Sequence, residues 1–218
     1  MPTRRTLLAL APSLPFARPV RAQALEPVAA DAPQVAALLA RLRAGGLVLF
    51  FRHADTMGEP CDRSFRLGDR AGQRNISARG REQSARIGAR IAELGIPVQV
   101  PVLAGPVYRA RDTAEIAFGT ARVAVTDSLL ADDYAGGQLD WVLAEHRRLF
   151  AAPVSAGTNR VLVGHRTPAI MISDGAVSNR IFPEGSALVI EPRGGSGFQI
   201  LGVLMFAPID GGGFHGCG

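Results

Sequence analysis

Lysine is absent from this chain of 218 residues: all 24 basic residues are arginine. That excludes any mechanism built on a lysine Schiff base. Cysteine is scarce, with Cys61 and Cys217 alone. Nowhere do His, Cys and Asp cluster in a metal-ligand pattern, so no metal and no cofactor is implied. Long apolar runs are missing as well, and nothing after residue 24 reads as a membrane span. The last absence is excess charge. The formal net charge is +5, but Arg4, Arg5, Arg18 and Arg21 fall in the first 24 residues, which hold no acid. The remainder has 20 basic against 19 acidic residues, without the cationic excess of a nucleic-acid-binding protein.

What is there begins with an export signal. Arg4 and Arg5 precede a short, proline-broken apolar stretch from Leu7 to Phe16, and Ala22-Gln23-Ala24 supplies a small-x-small cleavage site. The paired arginines look like a twin-arginine signal. The expectation is a signal peptide over residues 1–24, cleavage after Ala24, and a periplasmic or secreted protein. Residues 25–218 suffice for one sizeable α/β domain. In an oxidising compartment, Cys61 and Cys217 permit one disulfide tying the glycine-rich tail to the loop after His53; two unrelated thiols are the alternative. Closing so long a loop is worth on the order of 4 kcal/mol in the chain-entropy model.

The most informative feature is Arg52-His53, at the end of the apolar run Leu47-Val48-Leu49-Phe50-Phe51. A five-residue apolar run suits a strand buried on both faces of a parallel sheet, and ligands bind just past the carboxyl ends of such strands. Arg52 offers a planar, permanently charged fork for phosphate. A neutral His53 beside it can attack phosphorus or relay a proton. The pattern recurs downstream, where Asn159 to Gly164 reads as another strand and delivers His165. The other two histidines look ordinary: His146 reads as a solvated helix residue between Gln138 and Phe150, and His215 sits in the tail.

Strand and helix signals alternate along the rest of the chain, as βαβ units require. Asp31 is expected to cap a helix running through Arg43 and stopping at Gly45-Gly46. A long polar connection, Ala54 to Asn75, has the length of a functional loop. Ser77 is expected to cap a helix with Ile87, Ile91 and Leu94 at helical spacing, ended by Gly95. Pro97 to Leu103 reads as a strand. Gly105-Pro106 starts the next helix, with Pro106 near its first position and Arg109 and Arg111 in its first turns, where an arginine suits phosphate; ion pairing with Asp112 or Glu115 is the plainer account of Arg111. Arg122 to Thr126, Ala187 to Ile190 and Phe198 to Met205 read as further strands.

These residues carry a family resemblance. Phe51-Arg52-His53-Ala54-Asp55-Thr56 resembles the Arg-His-Gly signature of the histidine phosphatase superfamily. Asn75 to Gln83, Gly105 to Ala114 (similar to a Ser-Pro-x-x-Arg-Ala-x-x-Thr-Ala segment), Val163-Gly164-His165 and Pro183 to Ala187 follow in that family's order. The resemblance implies a three-layer α/β/α sandwich with a mostly parallel central sheet. It also implies a phosphomonoester hydrolase acting on a small phosphorylated substrate without metal. In that scheme His53 is the nucleophile, Arg52, Arg109 and His165 hold the phosphoryl oxygens, and Asp132, beside Asp133, is the general acid. Gly105, Ala54 and Arg166 depart from the family's pattern. Arg166 adds positive charge near the pocket, favouring a more highly charged substrate or pairing with an acid such as Asp55. An exported anion-binding protein of the same fold, without turnover, is the alternative.

Overall fold

The structure is a computed structural model that describes residues 25–215; the expected signal peptide and Cys217 lie outside the described residues. Its strands are β1 (Pro27–Ala29), β2 (Val48–Arg52), β3 (Val102–Ala104), β4 (Val123–Val125), β5 (Arg160–Gly164), β6 (Ser186–Pro192) and β7 (Phe198–Met205). They form one sheet in the order β1-β7-β6-β2-β5-β3-β4. Only β6 runs against the rest, so the sheet is mostly parallel, as expected.

Every residue of β2 is buried, which explains why it has no polar alternation. Leu49 and Phe51 enter one core with Leu42 of α1 (Ala36–Ala44), Ile87 and Ile91 of α2 (Ala78–Glu93) and Ala110 and Ala114 of α3 (Tyr108–Phe118). A short α4 (Asp132–Ala135) follows β4. Val48 and Phe50 enter the other core with Leu149 and Phe150 of α5 (Leu139–Ala151) and Ala169 of α6 (Arg166–Met171). Alternate side chains of one strand therefore glue helices to both faces, and the result is the three-layer sandwich. No helix among the described residues is long and apolar enough to cross a membrane.

Local chemistry explains where the chain follows expectation and where it departs. Ser77 caps α2, its hydroxyl accepting from the Gly80 amide at 3.0 Å, as its residue type favours. Asp31 caps nothing: a 3-10 turn, Pro33–Val35, precedes α1, whose cap is Val35. The expected strand from Pro97 shrinks to Val102–Ala104 plus an isolated bridge at Val98, because Pro97 and Pro101 have no amide to give a ladder. Pro106 stands before the Val107 cap of α3 rather than inside the helix. β1, α4 and α6 carried too few residues for a periodic signal.

His146 is a correction. It is fully buried rather than solvated, with its ring 5.9 Å from that of Phe50 and its Nδ1–H donating to the Val142 carbonyl at 2.8 Å. Burial lowers its pKa from 6.5 to about 4. The unfolded chain therefore binds a proton that the folded one refuses, so stability present above pH 6.5 is lost as pH falls towards 4. Urea unfolding at pH 7 and pH 4 should show the loss shrinking by about 3 kcal/mol in His146→Leu. An undiminished loss would exclude His146 as a source of acid sensitivity.

Candidate active site

Register builds the site. β2 and β5 are parallel neighbours with Arg52 opposite Gly164, and the His53 amide donates to the Gly164 carbonyl at 3.0 Å. The next residues, His53 and His165, thus emerge side by side, their ring centroids 5.5 Å apart. β3 lies on the far side of β5, and the Gly105 amide donates to the Val163 carbonyl at 2.9 Å. Three adjacent carboxyl ends therefore converge, which is where a parallel sheet binds ligands. Gly105 follows from this crowding: an added Cβ would overlap the Leu129 carbonyl oxygen.

His53 is held as a neutral imidazole. Its Nδ1 lies 2.9 Å from the Ala54 carbonyl, which only accepts, so Nδ1 carries the proton and Nε2 keeps its lone pair. Burial first, then Arg52 and Arg109, pushes its pKa well below the ordinary value. Burial and Arg109 do the same to His165, whose buried Nε2 has no partner. Two segments pin the strand end. Thr113 Oγ1 accepts from the Ala54 amide at 2.9 Å, and Gln83 Oε1 accepts from the Asp55 amide at 2.9 Å. The two helical segments singled out in the sequence thus fix the loop that starts at His53.

Arg52 is buried and almost fully used. Its Nη1 donates to the Phe182 and Gly213 carbonyls at 2.9 and 3.0 Å, and Nη2 to Glu184 at 3.2 Å. Its Nε stays buried without a partner. Burial lowers its pKa to about 10 against the opposing pull of Glu184, leaving it cationic at neutral pH. Arg109 is also buried; its Nη1 donates to Asp62 at 3.2 Å, and its Nη2 lies 3.7 Å from Asp133. Arg111 stands away from this group, paired with Glu115 at 2.8 Å.

The pocket is lined by Arg52, His53, Arg109, His165 and Asp132, the five residues expected from the sequence, and also by Asp62, Arg74, Asp133, Arg166, Glu184 and His215. Asp132 and Asp133 open α4. Desolvation raises the pKa of Asp133, partly offset by Arg109, although its side chain is 39% exposed. Sequence reasoning missed Asp62, Glu184 and His215. Asp62 also accepts from the Tyr134 hydroxyl. Glu184 accepts from Thr56 Oγ1 at 2.8 Å and from His215 Nδ1 at 3.0 Å. The cysteine pair was the signal that leads to His215, since a bridged tail must return to the His53 loop. Cys61 is disulfide-bonded and no described cysteine is free; Cys217, the expected partner, lies outside the described residues. Asp55 does not pair with Arg166: it takes the Ser77 hydroxyl at 2.7 Å and faces His215 Nδ1 at 3.5 Å. Asp55, Glu184 and His215 bring ligand-type atoms within 4.8 Å of one another, but these residues are engaged in hydrogen bonds and ion pairs within the protein.

No protein-family model matches the chain, and no curated protein matches its sequence. Solved structures do match. The protein histidine phosphatase SixA, complexed with tungstate, aligns over 73% of this chain and 97% of its own with a TM-score of 0.50 at 13% identity. The fold is that of the histidine phosphatases. Rv3214 from Mycobacterium tuberculosis covers 73% of this chain and 98% of its own, with a TM-score of 0.49 at 17% identity. A phosphoglycerate mutase from Thermus thermophilus covers 68% and 95%, with a TM-score of 0.43 at 19% identity. At these identities the likeness is one of fold.

Within this histidine-phosphatase fold, Glu184 is the anion that lets Arg52 stay buried. Removing one partner of a buried pair leaves the other charge stranded, at about 3 to 5 kcal/mol. Glu184→Ala should lose that much stability in urea unfolding at pH 7. A loss below about 1 kcal/mol would mean that the pair contributes little more than an exposed one.

Proposed function

We propose that the protein is an exported phosphomonoester hydrolase working through a phosphohistidine on His53. The observation that carries this reading is a pair of buried nitrogens without hydrogen-bond partners among the described residues, Arg52 Nε and His165 Nε2, beside His53 in one pocket. Buried donors normally find partners, and a tetrahedral oxyanion fits this set. Tungstate, which the structurally similar SixA holds, is such an anion.

In this mechanism His53 Nε2 attacks phosphorus while the bond to the leaving oxygen breaks. A carboxylic acid of the Asp132–Asp133 pair gives that oxygen its proton. Arg52, Arg109 and His165 hold the non-bridging oxygens as charge shifts. Water then attacks the phosphohistidine, the P–N bond breaks, the same carboxylate takes the water's proton, and His53 is restored. Asp133 is the alternative to the expected Asp132: its carboxylate lies 3.7 Å from Arg109, one of the proposed phosphoryl-holding groups, and its pKa is raised from the ordinary value, by desolvation first. The scheme needs no metal.

The anion-binding reading without turnover has one observation on its side: both clamp arginines already have carboxylate partners. Hydrolysis of an aryl phosphate in the presence of chelator separates the two. Activity should fall by at least about a thousandfold in His53→Ala, with the acid limb of kcat/KM lying below pH 6.5 because the His53 pKa is lowered. In the wild type, one equivalent of phosphate should be trapped on His53. Asp133→Asn should cost more kcat than Asp132→Asn, and the reverse order would return the acid role to Asp132. Phosphate-dependent thermal stabilisation with no turnover would favour the binding protein instead.

Export is proposed on the sequence alone. Amino-terminal sequencing of protein recovered from the periplasm or medium should begin at Leu25; a chain retaining Arg4-Arg5 in the cytoplasm would overturn it.

A further inference from the structure

We infer that Arg166 binds a second phosphate group next to the scissile one, so that the substrate class is a diphosphate or neighbouring-bisphosphate ester rather than a simple monoester. This rests on the phosphatase reading and adds a specificity determinant to it.

Charges and donors around this pocket are unevenly matched. Arg52 has Glu184 at 3.2 Å, and Arg109 has Asp62 at 3.2 Å and Asp133 at 3.7 Å. Arg166 makes no hydrogen bond or ion pair among the described residues, and its Nε is buried. Asp55, the acid expected as its partner, is engaged by Ser77, the Met57 amide and His215. Arg166 is nonetheless close enough to Arg52 to add to the lowering of its pKa that burial begins. A half-buried guanidinium beside another cation lacks a protein counter-charge, and an anion entering the pocket would supply one.

Donor arithmetic points past the first phosphoryl group. Arg52 Nε, Arg109 and His165 Nε2 supply one donor group to each of its three non-bridging oxygens. Arg166 is a fourth group at the pocket, and its planar fork matches the oxygens of a further phosphate. The backbone explains its placement: it directly follows His165, at the first position of α6.

The test is calorimetric binding of inorganic phosphate and of pyrophosphate to the purified protein, with chelator present to remove metal–pyrophosphate complexes and phosphate release measured alongside so that the heat of any turnover is subtracted. The wild type should prefer pyrophosphate by at least about tenfold, the scale of one hydrogen-bonded charge pair. Arg166→Gln should cut that preference by about tenfold, and Arg166→Lys should keep an intermediate part of it. The lysine variant also serves if the glutamine variant folds poorly. Because pyrophosphate carries more charge, the variants decide. An unchanged preference in both would overturn the inference. So would an equal loss for both anions, which would place Arg166 in the primary clamp. A wild type that binds both anions equally would sink the Arg166 role alone, whereas one that binds neither and hydrolyses nothing would sink the phosphatase reading with it.

Discussion

Keeping the Arg52 guanidinium inside the protein is the constraint on which the rest of the site depends. A cation taken out of water needs both a counter-charge and acceptors for its donors. Glu184 supplies the charge, and the Phe182 and Gly213 carbonyls supply acceptors. Meeting those needs draws three distant pieces of chain together: the end of β2, the segment before β6, and the carboxyl-terminal tail. The tail is therefore part of the site. The Gly213 carbonyl also accepts from the Glu184 amide at 2.8 Å, and His215 closes on the Glu184 carboxylate. The Arg52 Nε is buried and has no hydrogen-bond partner among the described residues.

The same cationic surroundings set the chemistry of the histidines. Burial, with Arg52 and Arg109 nearby, keeps His53 and His165 neutral. For a nucleophile that is an advantage, since the lone pair is available without a separate base. The arginines thus serve twice in the proposed mechanism. Before the ester binds they hold off a proton from His53; once it binds they balance the phosphoryl charge. The acidic residues limit this effect. Asp62 and Glu184 neutralise Arg109 and Arg52 in the free protein, so the pocket does not carry the full charge of its arginines.

How legible all this was in the sequence depends on how local each signal is. β2 and β5 were readable because strands buried on both faces show unbroken apolar runs, and that alone located His53 and His165. The α2 cap was readable because Ser77 contacts an amide three residues away. Arg109 was found through its position in a motif at a helix start. Glu184, Asp62 and His215 were not found, since each matters through a partner far along the chain and none sits in a periodic pattern. His146 was misread for a related reason. Arg147 and Arg148 beside it suggested a solvated face, but sequence neighbours on a helix point in different directions and do not share a face. The helix burial at Val142, His146, Leu149 and Phe150 follows the i, i+4, i+7 and i+8 rhythm.

Close backbone packing accounts for how firmly the pocket residues on the sheet ends are placed. An added Cβ at Gly80 would overlap the Asp55 carbonyl, one at Gly88 the Ala117 carbonyl, and one at Gly105 the Leu129 carbonyl. These glycines let α2, α3 and the β3 end approach until backbone meets backbone, leaving the His53 loop no slack. Thr113 and Gln83 then lock it from two sides. A catalytic group that must meet phosphorus in line benefits from such support, because small displacements are costly. The other side of the pocket is built differently. Asp62 comes from the long loop after His53, Asp132 and Asp133 from a single helical turn, and His215 from the tail. Loops tolerate change that a sheet does not. This division lets the proposed chemistry stay fixed on the sheet ends while the groups that meet the rest of the substrate, Arg166 excepted, vary without disturbing it.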